Sequence, residues 1–233
     1  MSRWLRNVLG GVLGGVLGGV FGGQTSEGPA QTHVGLEPGH HIARDAVHDR
    51  DRLPPNQALT ARFPVLHAGD VPAIDLETWR FRVWGLVEEP FELTFQEFSD
   101  LLAREITADI HCVTGWSKFD TVWRGTSGSE VVKRSRPVPE ARYVMVHAPQ
   151  WSTNLPLDDL CREDVVFAWE YDGRPLEAAH GRPVRLVVPH LYFWKSAKWV
   201  TGIEFVAEDK PGFWERAGYH MRGDPWREQR YRQ

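Results

Sequence analysis

The sequence predicts a mixed α+β domain, rich in strands and carrying only short helices. Three observations predict it. Short alternating or apolar runs recur along the chain, at TWRFRVWGL from Thr78, ARYVMVHA from Ala141, VVFAWEY from Val165 and PVRLVVP from Pro183. Helical spacing of apolar residues is confined to brief stretches. Strands and helices do not alternate regularly, as a doubly wound βαβ fold would require.

The chain of 233 residues divides by composition into three parts. Residues 1–23 form a Gly-rich apolar tail that repeats a Val-Leu-Gly-Gly unit behind Arg3 and Arg6. Its apolar run, Val8 to Gly23, is short for a membrane span of roughly 20 residues, and each glycine weakens a helix by about 1 kcal/mol relative to alanine. No small-x-small cleavage site follows it, and the adjacent arginines of a twin-arginine signal are missing. Two readings stay open: a flexible tail that touches a membrane peripherally, or a signal or anchor. Residues 24–60, rich in Gly, Pro, His and charge, read as an extended lead-in. Residues 61–233 read as the folded domain.

Within that domain, Trp79, Phe81 and Val83 alternate with Arg80 and Arg82, the pattern of a half-buried strand. Phe95 to Ala103 has i, i+3, i+4 spacing behind Thr94, an N-cap with Glu97 three positions on. Ile106 to Val113 reads as a strand running into Cys112, and Ala141 to Ala148 as another. Pro156 to Arg162 reads as one short helix. Val165 to Tyr171 ends at the turn pair Asp172-Gly173. Pro183 to Pro189 and Lys198 to Glu208 complete the strands, and the last 25 residues read as an ordered tail wrapping the body.

At 42% hydrophobic and 25% charged, with a net charge of −4 and scattered basic residues, the composition excludes a nucleic-acid surface as the defining feature. Eleven tryptophans favour broad aromatic walls. Phosphate loops of the GxGxxG or GxxxxGK type are missing, so a phosphate-bearing cofactor must be held by side chains. Without CxxC or CxxCH, zinc ribbons, thioredoxin-type sites and covalent c-type haem are excluded.

The chemistry concentrates in two places. Cys112, one of two cysteines, stands where a strand opens into a loop, the setting in which sites are usually built. His111 and Lys118 beside it are expected to favour the thiolate, the form that binds soft metals or attacks substrates. A single thiolate does not hold zinc by itself, but it can hold a metal already chelated by an organic ligand. Cys161, in DDLCRED, reads as structural. The second place is HGRPVRLVVPHLYFWKSAKW, residues 180–199, where His180, Arg182, Arg185, Lys195, Ser196 and Lys198 surround one apolar strand. Arg185 interrupts a strand that is otherwise apolar on both sides, so it needs an anionic partner. Arginine and lysine bracketing an anion, with a serine hydroxyl, make a phosphate cradle without a glycine loop. His67, before Ala-Gly-Asp, reads from its residues alone as a structural or exposed loop histidine.

At these residues the chain resembles the sulfite oxidase family of molybdopterin enzymes, including the bacterial subgroup related to the methionine-sulfoxide reductase catalytic subunit. The resemblance runs from about Phe63 to the C-terminus and rests on HCVTGWS, HGRPVRLVVP and WKSAKWV, followed by PGFWERAGYH and GDPW. It implies a sulfite-oxidase-type molybdopterin-binding domain holding molybdenum-molybdopterin. Cys112 would be the protein ligand to the metal. His67, His180, Arg185, Ser196, Ala197 and Lys198 would hold the cofactor, with Lys118 as a substrate contact and Trp116 and Trp123 as walls of the access funnel. The arginines that follow the cysteine motif in sulfite oxidases proper are absent, so sulfite is not the favoured substrate. The implied activity is two-electron oxygen-atom transfer on a small sulfoxide, N-oxide or sulfite-like substrate, with a separate electron-transfer protein as partner. Cytoplasmic location, with loose membrane contact through the tail, is expected over the periplasm. The competing readings are a hydrolase or transferase with Cys112 as nucleophile and a histidine base, and a pterin-binding protein without turnover.

Overall fold

The computed structural model describes residues 51–232; the tail at 1–23 and the lead-in up to residue 50 lie outside the described residues. Among those described, no helix is long and apolar enough to cross a membrane.

Two sheets carry the fold, as the strand-rich α+β expectation requires. The first contains β1 (Ala58–Leu59), β4 (Ala103–His111), β5 (Trp116–Ser127), β8 (Val166–Tyr171), β9 (Arg174–Pro175) and β10 (Arg185–Val187). Here β5 is central: it pairs antiparallel with β4 and β8 and, at its start, parallel with β1. The second sheet runs β3 (Phe91–Thr94), β2 (Arg80–Gly85), β11 (Gly202–Val206), β6 (Tyr143–His147), β7 (Ser152–Pro156). Only its β2–β11 pair is parallel. Among the described residues, the short helices α1 (Phe95–Ser99), α2 (Gly128–Ser135) and α3 (Leu157–Leu160) each connect a strand of one sheet to a strand of the other, and α4 (Phe213–Arg216) follows the last strand.

Local chemistry explains several ends. Thr94 caps α1 with a complete capping box: its side chain accepts from the Glu97 N–H, and Glu97 accepts from the Thr94 N–H. Asp172 and Gly173 both have positive φ, which suits the tight turn between β8 and β9.

The main core fills the space against the second sheet, with Phe81, Phe98, Val144, Leu155, Phe167 and Ile203 among its buried members. Alternation along β8 sends Phe167 and Trp169 into this core and Val166 and Ala168 to the opposite face. That second face of the first sheet is also buried, around Ile110, Trp123, Leu176 and Val187. On β10, Leu186 therefore points into the main core while Val187 lies in the smaller cluster. Arg185 falls on the same face as Val187, where the charge meets Trp123, Phe63 and Phe193.

The sequence reading left seven elements unassigned, β3, β7, β9 and α4 among them. It read β1 as part of an extended lead-in, whereas β1 pairs with β5. It also left β5, the longest strand, and helix α2 unassigned. The buried positions of β5 include Ser117, Thr121 and Thr126 as well as Trp123, so hydroxyls hide the apolar alternation.

Candidate active site

Cys112 follows the last residue of β4 and opens the hairpin turn to β5. The turn closes when the Gly115 N–H donates to the Cys112 carbonyl at 3.0 Å and the Cys112 N–H donates to Trp116 at 2.8 Å. Gly115 has φ +99°, a conformation that favours glycine. The Cys112 side chain is 8% exposed and packs with Tyr192 and Tyr219, with Trp116 and Trp194 behind them. Gln57 donates to its carbonyl at 3.1 Å. Thr114 Oγ1 donates to the sulfur at 3.2 Å.

Burial pushes the thiol pKa up, and Thr114, Arg230 and Lys198 oppose that shift. The polarising cations are therefore Arg230 and Lys198, not the sequence neighbours. His111 is itself driven down to about 4 by burial, and its Nδ1 is hydrogen-bonded to Ser117 Oγ at 2.8 Å. It is neutral at pH 7. Lys118 turns to the surface, donating to the Ala61 carbonyl at 3.0 Å. No histidine is hydrogen-bonded to the thiol among the described residues, so the cysteine-histidine dyad of a nucleophile enzyme is not assembled.

The 180–198 segment folds back against this turn. Gly181, with φ +115°, lets the chain pass so closely that an added Cβ would meet Arg185 Cβ at 3.0 Å and Lys198 Cα at 3.2 Å. Lys198 Nζ donates to Ala179 at 2.7 Å and to Leu66 at 3.0 Å, joining the loops that carry His180 and His67. Its pKa falls to about 7, chiefly through burial and then through Arg185, with Cys112 pulling the other way. Arg185 is 1% exposed. It donates to the carbonyls of His180 at 2.9 Å and Ser196 at 3.1 Å, and its guanidinium lies 4.3 Å from the Phe193 ring centre. Burial lowers its pKa to about 9. Of the two anions that could satisfy Arg185, a protein carboxylate is not there: Arg185 and Lys198 form no ion pair among the described residues, and the Arg185 Nε is buried without a hydrogen-bond partner.

The remaining predicted residues gather here. His180 stacks on Phe63 at 4.1 Å, with Nε2 3.3 Å from the Phe63 carbonyl, and burial lowers its pKa. His67 Nδ1 is 3.0 Å from the Gly69 carbonyl, and its ring meets Trp199 edge-on. Ser196 Oγ accepts from the Val188 N–H at 2.9 Å, which leaves its own proton to donate. Ala197 accepts from the Leu186 N–H at 2.8 Å and holds the segment to β10.

Three expectations are corrected. Lys195 leaves the cradle, because its ammonium is fully buried in an ion pair with Glu215 at 2.7 Å and donates to Asn154 Oδ1 at 2.7 Å. Trp123 is a fully buried core residue rather than a funnel wall. Cys161 is an exposed free thiol at the end of α3. Sequence reasoning also missed Tyr219 and Arg230, both from the C-terminal segment. Arg230 donates to the Val113 carbonyl and, at 3.4 Å, to that of Asn56. A sequence separation above 100 residues leaves no local signal for such a return.

The donor set suits an anionic, metal-chelating cofactor. A buried and a half-buried cation without carboxylates and one orphaned guanidinium N–H fit a phosphate, and the Cys112 thiol, a soft donor once ionised, lies near enough to interact electrostatically with Lys198. Comparison with known proteins agrees. The family described as "Oxidoreductase molybdopterin binding domain" matches residues 68–214. A Bacillus subtilis (strain 168) protein described as "Uncharacterized oxidoreductase YuiH" is 52% identical over 182 residues, covering 77% of this chain and 92% of that protein. The protein-methionine-sulfoxide reductase catalytic subunit MsrP of Xanthomonas campestris is 30% identical over 158 residues, covering 60% of this chain and 49% of its own, so this chain spans about half of that relative. The crystal structure of the sulfane dehydrogenase SoxCD from Paracoccus pantotrophus shares the fold, with a TM-score of 0.56 at 17% identity over 76% of this chain and 57% of that one. On this evidence the chain belongs to the sulfite oxidase family of molybdopterin-binding oxidoreductases, whose cofactor is molybdenum-molybdopterin.

Proposed function

We propose that the protein catalyses two-electron oxygen-atom transfer on a small sulfoxide, N-oxide or sulfite-like substrate, with the Cys112 thiolate ligating molybdenum. The observation that carries this reading is the meeting of one buried thiol with two cations, the buried Arg185 and the half-buried Lys198, that have no carboxylate of their own among the described residues. When bound, the cofactor supplies reversible exchange of one oxygen atom and two electrons with the substrate.

The chain's own residues hold and tune it. Arg185 and Lys198 would neutralise the phosphate, and Ser196 would add a hydroxyl donor. His180, made neutral by burial, would orient the pterin by hydrogen bonding rather than by charge. Lys198 sits near pKa 7 without an anion, so an arriving phosphate would draw a proton onto it and strengthen the contact. Electrons would be exchanged with a separate protein.

The test is elemental analysis of the purified protein, paramagnetic resonance of its Mo(V) state, and turnover of dimethyl sulfoxide, trimethylamine N-oxide and sulfite with small redox dyes. The expected result is molybdenum in the wild type, turnover of at least one substrate, and loss of turnover in Cys112→Ala with the melting transition retained. A Cys112→Ala enzyme that still turns over refutes the ligand assignment.

A further inference from the structure

The surface around the Cys112 turn differs from the rest of the molecule in both charge and apolarity. Among the described residues six large hydrophobic side chains are exposed, and five of them, Leu59, Val65, Leu66, Trp226 and Tyr231, come from the two segments that border this turn. Leu59 pairs with Ser117, Leu66 accepts from Lys198, and Asn56 and Glu228 join the two segments at 2.6 Å. Single exposed hydrophobics need no explanation, but a cluster of them marks an interaction surface.

The same border carries unpaired cations. Arg62, Lys118, Arg230 and Arg232 have no carboxylate within ion-pairing distance among the described residues. Among nearby acids, Asp109 and Asp120 share Arg52 and Asp224 pairs with Arg227, while Glu228 accepts from the Asn56 amide and keeps its charge, so the four cations still outnumber the uncompensated acids. A chain of net charge −4 thus turns a positive face outward at its site, and such a face steers negatively charged partners. Two aromatic contacts lead inward from it. The Trp226 ring lies 6.4 Å from that of His111, the neighbour of Cys112. Tyr231 lies 5.4 Å from Tyr219, which packs with Cys112.

We propose that this rim is the docking surface for an acidic electron-transfer protein, with Trp226 and Tyr231 at the centre of the contact and Arg62, Arg230 and Arg232 meeting carboxylates around it. The inference rests on the proposed activity for the partner's role, although the surface itself can be tested without turnover. An aromatic centre inside a charged border is the usual composition of a transient interface. In the reducing direction, two one-electron deliveries, each leaving the carrier oxidised by one electron, supply the pair consumed as R2SO and two protons give R2S and water.

The experiment measures binding and electron delivery with an acidic flavodoxin, a basic cytochrome as control, and reduced methyl viologen as a small donor. The holoenzyme should bind flavodoxin at low ionic strength, weaken as salt rises, and bind the cytochrome less well. Arg62, whose side chain makes no hydrogen bond or ion pair among the described residues, and Arg232 should each, when changed to Glu, reduce flavodoxin affinity about tenfold. Arg142→Glu, the same charge change just before β6 of the second sheet, should leave affinity unchanged, and viologen-driven turnover should persist in all three. Equal binding of the acidic and basic proteins, or an equal loss in Arg142→Glu, overturns the proposal. So does a parallel loss with viologen, which would assign the rim to substrate entry, and so does capture by phosphatidylglycerol vesicles without flavodoxin binding. If the protein lacks molybdenum yet binds flavodoxin as described, the activity falls and the docking surface stands.

Discussion

Arg185 and Lys195 stand ten positions apart and are buried to the same degree, at 1% and 0% exposure, yet the fold treats them oppositely. Lys195 has a carboxylate built for it: Glu215, itself fully buried, accepts from the Lys195 ammonium at 2.7 Å and from Trp194 Nε1 at 2.9 Å. Asn154 completes the shell. Arg185 has two carbonyls, an aromatic ring face and an unpartnered N–H. Three positions beyond Lys195, Lys198 likewise finds only carbonyls. A buried cation that brings its own anion fastens the C-terminal segment to the body. Under the proposed function, one that lacks it is held open for an anion from outside, at a cost in desolvation that the free protein bears.

The largest effect should come from the closed pair. Glu215→Ala strands a buried ammonium and should destabilise the protein by about 3–5 kcal/mol, read as a lowered urea midpoint. If the loss is below about 1 kcal/mol, Lys195 is not held by that carboxylate and the contrast with Arg185 fails.

Arg185→Met should act the other way round. Removing an unpaired buried charge offsets the loss of two hydrogen bonds to carbonyls, so stability of the cofactor-free protein should move by less than about 2 kcal/mol. Molybdopterin content of the purified protein should nevertheless fall by about tenfold or more, the equivalent of roughly 1.4 kcal/mol in binding. Wild-type pterin content in that variant would remove Arg185 from the site.

A smaller effect is expected with pH. Lys198 has a folded pKa of about 7 against an ordinary value of 10.5, so between those values the unfolded chain keeps a proton that the folded site sheds. Stability rises with pH wherever the unfolded state binds more protons. The cofactor-free protein should therefore gain stability from Lys198 as pH climbs from about 7 toward about 10. Lys198→Met should flatten that rise, and so should a bound anion that restores the charged form. A slope unchanged in Lys198→Met would show that the ammonium is not desolvated.

The contrast also explains what the sequence made legible. Arg185 could be singled out because a charge in PVRLVVP violates the apolar pattern locally, and the structure places it on a buried face as that violation requires. The capping box at Thr94 and the turn at Asp172-Gly173 were legible for the same reason, since each is complete within four residues. Lys195 was not separable from Arg185 and Lys198, because its partner lies twenty positions further on in a four-residue helix with no distinctive spacing. Strand β5 escaped because Ser117 and Thr121 occupy positions where an inward face normally shows apolar residues. Arg230 and Tyr219 reach the Cys112 turn only through tertiary folding. Local chemistry is readable in one sequence; pairings across the chain are not.

The central claim is the bond between Cys112 and molybdenum, and X-ray absorption at the molybdenum edge tests it most directly. Purified wild-type and Cys112→Ser proteins would be compared at matched molybdenum and pterin content. The account predicts that the variant loses a single molybdenum-sulfur contact while its other sulfur neighbours remain. An identical sulfur shell in the two proteins would contradict it.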